Sequence, residues 1–204
     1  MSDRVTSHFE TGWRLFKSHV RGFVISMLLL FLSWVLLEVA VIFLHRSGFV
    51  VWLVLHLGWL FLFSGMLVGM HVMALKGVDG EIPRVGDLFG SLERGPAYLL
   101  ALGIYCLTVS GGLVLLIVPG IYLAVRYCLF AQVITDTSAS ALSALRKAAA
   151  LARGSWASLS ALFLIAFLFN IAGMSLLGIG LIISFPVSLL VIAGFYRSLQ
   201  PATV

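Results

Sequence analysis

Charged residues are scarce in this chain: 13 lysines and arginines and 8 aspartates and glutamates make up 10% of 204 residues. A soluble domain carries about 25%. The polar surface that would cover a water-soluble globule is missing. Cysteine is scarce as well. Cys106 and Cys128 are the two present, far from any CxxC spacing, and both fall inside apolar runs, so they read as buried free thiols. There is no HExxH, no GxSxG and no phosphate-binding P-loop. Gly178-Ile179-Gly180 lacks the third glycine and the preceding strand of a dinucleotide site. Asp79, Glu81, Asp87 and Glu93 stand among basic neighbours and read as a solvated loop. The expectation is a protein that is not an enzyme and holds no cofactor or metal.

What remains is apolar, at 61% hydrophobic residues and a mean hydropathy of +1.13. A helix needs about 20 mostly apolar residues to cross a hydrocarbon core about 30 Å thick. Phe23–Phe43 and Phe49–Leu75 each meet that requirement. The first exceeds a signal-peptide core in length and no small-x-small cleavage site follows it, so it is expected to stay. Pro96–Ile134 is nearly twice the needed length and is interrupted at Val118-Pro119-Gly120. It reads as a hairpin of Pro96–Ile117 and Pro119–Thr135 that reverses at Val118–Ile121, with Gly111-Gly112 as the alternative turn. Trp156–Leu199 needs a second hairpin turning between Gly173 and Gly180. Six spans result.

Lysine and arginine accumulate on the cytoplasmic side of membrane proteins. Arg4, Arg14, Lys17 and Arg21 precede the first span. Lys76, Arg84 and Arg94 separate spans two and three, and Arg146, Lys147 and Arg153 separate spans four and five. Arg197 closes the last span, whereas Arg46 alone is assigned to the opposite side and Arg126 falls inside a span. Both termini are therefore expected in the cytoplasm. The net charge of +5 is a topology signal, since no soluble basic domain exists to bind nucleic acid.

An eight-residue phrase occurs twice, as LFKSHVRG (Leu15–Gly22) and LFGSLERG (Leu88–Gly95), each at the foot of an apolar run. Val5, Phe9, Trp13, Phe16 and Val20 form one stripe of a helical wheel, with Arg14, Lys17 and Arg21 opposite. This predicts an amphipathic helix lying in the interface over residues 4–21. Ile82, Val85, Phe89 and Leu92, with Asp87 and Arg94 opposite, predict another over residues 82–94. Leu142, Leu145, Ala149 and Ala152 predict a third over residues 138–152, ending at Arg153-Gly154. The interfacial residues are Trp13, Phe16, Arg21, Phe89, Arg94 and Arg153. The fold class expected is all-α, a polytopic membrane protein of six transmembrane helices with three cytoplasmic interfacial helices. A single domain divides into foot-plus-hairpin repeats at 1–75, 76–136 and 137–204, related by an axis along the membrane normal.

Polar groups inside spans are costly, about 2.5–3.5 kcal/mol for a charge even on insertion scales. Glu38 lies roughly 22 Å in from the cytoplasmic end of its span, and Arg126 roughly 10 Å from the outer end of its own. His56 and Asn170 fall at similar depth. The four read as an intramembrane polar cluster in the outer third, with Glu38 and Arg126 as a neutralised pair. Gly65 and Gly69 form a GxxxG, which permits close helix packing.

The run LIVPGIYLAVRYCLFAQVITD, then ALSALRKAAALARGSW and GIGLIISFPVSLLVIAGFYRSL, resembles a group of uncharacterised bacterial membrane proteins. These are similar to the membrane domain attached to some glycerophosphoryl diester phosphodiesterases. Pro119-Gly120-Ile121, Arg126-Tyr127, Asp136, Ala144-Leu145-Arg146, Gly154-Ser155-Trp156, Pro186 and Tyr196 carry the resemblance over residues 85–199, with weaker support from Gly12-Trp13-Arg14-Leu15-Phe16. It implies a six-helix inner-membrane protein. It does not imply phosphodiesterase activity, because the soluble catalytic barrel is absent from these residues.

The function expected is that of a non-catalytic inner-membrane protein organising lipid or partner proteins, with membrane lipids, other membrane proteins or a second copy as partners. The alternative is a small transporter or channel built on the polar cluster. A membrane-embedded enzyme or redox anchor is the third class, and a haem absorbance band would mark it.

Overall fold

The computed structural model describes the backbone of residues 2–44, 48–175 and 178–200, and the side chains of these from Thr6 onward. The side chains of Arg4 and Val5, all of Arg46, and part of the turn expected between Gly173 and Gly180 lie outside the described residues. Among the described residues the chain is helical and contains no strand. The α-helices are α1 (Ser2–Ser18), α2 (Val20–Leu44), α3 (Phe49–Val78), α4 (Gly95–Leu115), α5 (Ile117–Tyr127), α6 (Phe130–Thr137), α7 (Ala141–Ala152), α8 (Trp156–Ser175) and α9 (Leu181–Ser198). Six stretches are long and apolar enough to cross a membrane: α2, α3, Val85–Leu115, α5 with α6, α8 and α9.

These helices pack as three neighbouring pairs, α2 on α3, α4 on α5 and α8 on α9, with α3 at the centre touching α2, α4, α6 and α9. The last turn of α3 shows how sequence ends a helix. Gly80 takes φ +82°, and the Glu81 N–H reaches back to the Lys76 carbonyl at 2.9 Å. That is the six-to-one bond of a Schellman stop, which needs a left-handed residue and so favours glycine.

The second hairpin turns earlier than the sequence indicated. Leu116 alone is extended, at φ −165° and ψ 145°, and α5 starts at Ile117. Pro119 then sits inside the first turn of α5, where its missing N–H costs no helical hydrogen bond. Neither Val118–Ile121 nor Gly111-Gly112 makes the reversal. Gly112 and Gly120 instead let the two helices meet: a Cβ on Gly112 would stand 2.9 Å from Gly120 Cα.

The span that follows is also broken. The Cys128 N–H bonds Val125 at 3.4 Å, and the Tyr105 hydroxyl donates to the Ala124 carbonyl at 3.2 Å. In a continuous helix Cys128 would have taken that carbonyl. Tyr105 thus satisfies the acceptor freed where α5 gives way to α6.

The predicted feet fare differently. The first forms as α1, but its face turns into the protein: Phe16 is buried, and a Cβ on Gly12 would lie 2.7 Å from the Val191 side chain of α9. His8 and Phe9 make edge-on ring contacts with Phe195 and Phe169. The middle foot is not an α-helix. Residues 82–94 hold two short 3₁₀ turns, Val85–Leu88 and Leu92–Arg94, which are too short and too tightly wound to present an α-helical stripe. Leu88, outside the expected stripe, is the residue that becomes fully buried. The reason is the small-residue face of α3. A Cβ on Gly69 would collide with the Leu88 backbone, and one on Gly65 would stand 2.7 Å from Leu92 Cα. Gly65 and Gly69 therefore admit this irregular segment and the start of α4 against α3. The stretch expected as the third foot is helical, as α7, and buries Ala141, Ala144, Leu145, Ala148 and Ala152 against α4, α5 and α6 while Leu142 stays exposed.

Burial is concentrated at one end. The early residues of α2, the later halves of α3 and α9, the first turns of α4 and nearly all of α6 supply the core. At the other end Phe43, Phe49, Val114 and Leu115 are 81%, 72%, 88% and 80% exposed. Such an apolar surface would be an aggregation liability in water, and fits hydrocarbon instead.

Candidate functional site

The four polar residues expected to cluster within the spans stand apart. Glu38 is exposed on α2 and has no hydrogen-bond or ion-pair partner among the described residues. The His56 ring bonds the Trp52 carbonyl one turn back at 2.9 Å and lies against the Trp52 ring. Asn170 on α8 donates to Ser188 on α9 at 2.8 Å and accepts from Ser184 at 3.1 Å, which ties the last hairpin together. Arg126 donates through Nη1 to the Tyr122 hydroxyl at 3.0 Å. The expected Glu38–Arg126 pair does not form. Equal depth requires an unbroken helix starting at Pro119, whereas α5 starts at Ile117, breaks after Tyr127 and carries Arg126 to the same cavity as Arg146 of α7 and Arg153 just past it. Equal depth also says nothing about which way a side chain points around its helix.

The strongest polar constellation joins the ends of three helices. Arg197 of α9 grips Asp79, just past α3, with two parallel bonds of 2.8 Å from Nε and 2.6 Å from Nη2. Its Nη1 bonds Asp136 of α6 at 2.8 Å. The Tyr196 hydroxyl and Gln200 Nε2 each donate to the other Asp136 oxygen at 2.9 Å. One guanidinium thus spends all three nitrogens on two carboxylates, the fork geometry that a lysine cannot reproduce. Lys76 meets Asp87 at 2.7 Å, and Asp87 also accepts the Arg84 N–H at 2.8 Å. Asp79 and Asp87 are therefore ties between segments, in contrast to the solvated loop expected of them. Arg94 extends Nη1 to the Thr135 carbonyl, so this arginine too joins the middle segment to α6.

The interfacial residues divide as well. Trp13, Arg21, Phe89 and Arg153 are exposed, with Trp13 stacked on Phe16 and under the Lys17 ammonium at 5.3 Å. Phe16 is buried and belongs to the core, contrary to its place on the expected lipid-facing stripe. Burial also reaches polar side chains that the sequence reading left unassigned. His71 lies beside Tyr98 with its Nδ1 unbonded, and Gln132 leaves Oε1 unbonded in α6. Among the described residues no group of three or more His, Cys, Asp or Glu is placed to hold a metal.

Two of the cavities bear on function. The larger, about 560 Å³, is an apolar groove between α2, α3 and α9, lined by Phe31, Trp34, Trp59, Phe63 and Phe185 among others. The smaller, about 330 Å³, lies between α4, α5 and α7. The class of protein that these helices define is an all-helical, multi-pass membrane protein. Comparison with protein-family models, with curated proteins and with solved structures returned no match.

Proposed function

We propose that the chain is a non-catalytic inner-membrane protein, with both termini in the cytoplasm, that organises lipid around a rigid cytoplasmic end. The observation that carries this reading is the contrast between its ends. One end is close-packed and laced by Arg197, Asp79 and Asp136, while the other spreads apolar helices around an open groove about 560 Å³ in volume. A groove of that size lined by Phe and Trp suits acyl chains. The positive charges gathered around the packed end support its cytoplasmic placement. In this reading α1 and α7 lie at the interface with one face on the protein and the other toward headgroups. The foot-and-hairpin repeat remains part of this reading, although its middle foot is two 3₁₀ turns instead of an α-helix. The resemblance of residues 85–199 to the membrane domain of glycerophosphoryl diester phosphodiesterases points the same way.

The organising reading is preferred to a transporter built on Glu38, His56, Arg126 and Asn170, since none of the cavities described above is lined by these four together. Two measurements test the proposal. Reporter fusions at Ala139 and at the carboxyl terminus should read cytoplasmic, and an external reading overturns the orientation. Mass spectrometry of the purified protein should find retained phospholipid. Protein that retains none, and instead carries a solute across liposome membranes, ends the organising role.

A further inference from the structure

Arg126 of α5, Arg146 of α7 and Arg153 just past its end line one cavity of about 330 Å³, together with Tyr105, Thr108 and Tyr127, and no carboxylate among the described residues lines it. Sequence spacing explains the convergence on α7, since Arg146, Ala149 and Arg153 stand at i, i+3 and i+7 on one helix face. Elsewhere at the packed end Arg197 has two carboxylates and Lys76 has one, while Arg94 is held by the Thr135 carbonyl. Arg146 and Arg153 have no ion-pair or hydrogen-bond partner among the described residues. Among the described residues Arg126 hydrogen-bonds the Tyr122 hydroxyl alone, and its Nε is buried without a partner. Three arginines lining one space without a carboxylate raise its positive potential and favour an anion there.

We propose that this cavity binds a phosphate group, the chemistry shared by a phospholipid headgroup and a soluble phosphate. Guanidinium forks match phosphate oxygens in pairs, so the arginines are the donors here, the Tyr105 and Thr108 hydroxyls being already given to the Ala124 and Ile104 carbonyls. The surroundings favour the lipid. Trp156 lies against Tyr122 with ring centroids 5.8 Å apart, and Tyr122 in turn lies under Arg126 at 5.7 Å. Tryptophan and tyrosine of this kind settle at the headgroup level of a bilayer. The exposed Leu142 at the cavity wall gives the glycerol and first acyl carbons an apolar surface. A basic pocket between spans on the cytoplasmic side is where anionic headgroups are held. This inference rests on the membrane reading above and names the headgroup chemistry that the protein organises.

The test uses full-length protein in nanodiscs of phosphatidylcholine with a graded fraction of phosphatidylglycerol, and reads by mass spectrometry the lipid kept after extraction. The wild type should keep phosphatidylglycerol about tenfold over phosphatidylcholine, and Arg146→Gln with Arg153→Gln should bring that ratio near one. Arg153→Gln alone, an exposed change that leaves the core untouched, should give an intermediate ratio. Lys147→Gln, exposed on α7 and outside the cavity, should keep the wild-type ratio. Inorganic phosphate supplies the other arm. If it raises the melting temperature of wild type in neutral detergent, fails with the double variant, and headgroup preference is absent, the site stands with a soluble occupant. Equal retention of both lipids with no response to phosphate overturns the proposal, as does a double variant that keeps the preference. Protein that never enters nanodiscs would instead sink the membrane reading itself.

Discussion

The packed end and the splayed end of this bundle are built from the same helices by different rules. At the packed end, segments approach through glycine and are tied by charge: Leu88 lies on Gly69, Leu92 on Gly65, and Arg197 bridges Asp79 and Asp136. At the splayed end the same α2, α3, α4 and α5 present large apolar side chains outward, and Glu38 sits without a described partner. Lipid tails are as apolar as leucine, so no hydrophobic force closes helices together within a membrane. Close contact there must come from small residues and hydrogen bonds, and the sequence supplies both mainly at one end. The exceptions are the close approach of Gly112 and Gly120 between α4 and α5, and the Asn170–Ser188–Ser184 set that binds α8 to α9 within the spans.

The largest effect should come from adding a single methyl group at each end. Gly69→Ala forces a Cβ into the Leu88 backbone, which cannot swing aside as a flexible side chain would. Overpacking of this kind costs about 1–3 kcal/mol, and backbone contact places it at the upper limit. Gly58→Ala, on the far half of α3, meets nothing within 4 Å and should gain the modest helix propensity of alanine. Melting temperatures in detergent decide the matter. Equal shifts for the two would mean that the ends do not differ in packing.

The next effect is electrostatic. Arg197→Gln removes the bidentate grip on Asp79 and the bond to Asp136, leaving two neighbouring carboxylates without their shared cation. These groups are partly exposed, so solvent screens them, and a loss of roughly 1–2 kcal/mol is expected. Arg197→Lys should recover only part of it, because an ammonium cannot span both carboxylates in the same plane. Glu38→Gln at the opposite end should leave stability within about 0.5 kcal/mol. If Glu38→Gln proves the more damaging, the pairing expected from the sequence exists in the membrane and the contrast drawn here is wrong.

That reversal shows where sequence stops being informative. Spans are legible because hydrophobic length is a one-dimensional quantity, and all six expected stretches correspond to helices that meet the requirement. Partners are not legible by depth, since two groups at one level can face opposite directions, as Glu38 and Arg126 do not meet. The hairpin at Leu116 escaped because one extended leucine carries no turn signal of its own. The middle foot had an apolar period compatible with an α-helix, but the period gave no weight to the glycine face of α3 that captures Leu88. For Arg197, Asp79 and Asp136 a usable signal was present. Each lies at the carboxyl end of a long apolar stretch, all three ends fall on one side of the expected topology, and their charges are opposite.

The smallest effect concerns how α1 is held to the packed end. His8 is half-buried on α1, edge-on to Phe195 of α9 with centroids 5.6 Å apart. Burial pushes its imidazole below the ordinary 6.5, because the charged ring loses water that the phenyl edge cannot replace. The unfolded chain therefore binds the proton more readily than the folded one between the native value and 6.5. Stability rises with pH wherever the unfolded state holds more protons. The contribution is fully present above 6.5 and is lost as pH falls toward the native value. Because the ring is partly exposed, the loss should stay below about 1 kcal/mol. Melting temperatures at pH 7.5 and 5.5 should fall slightly further apart for wild type than for His8→Gln, whose side chain does not titrate. Identical pH dependence in the two proteins would show that His8 meets water in both states, and that α1 docks on α9 less closely than the ring contact indicates.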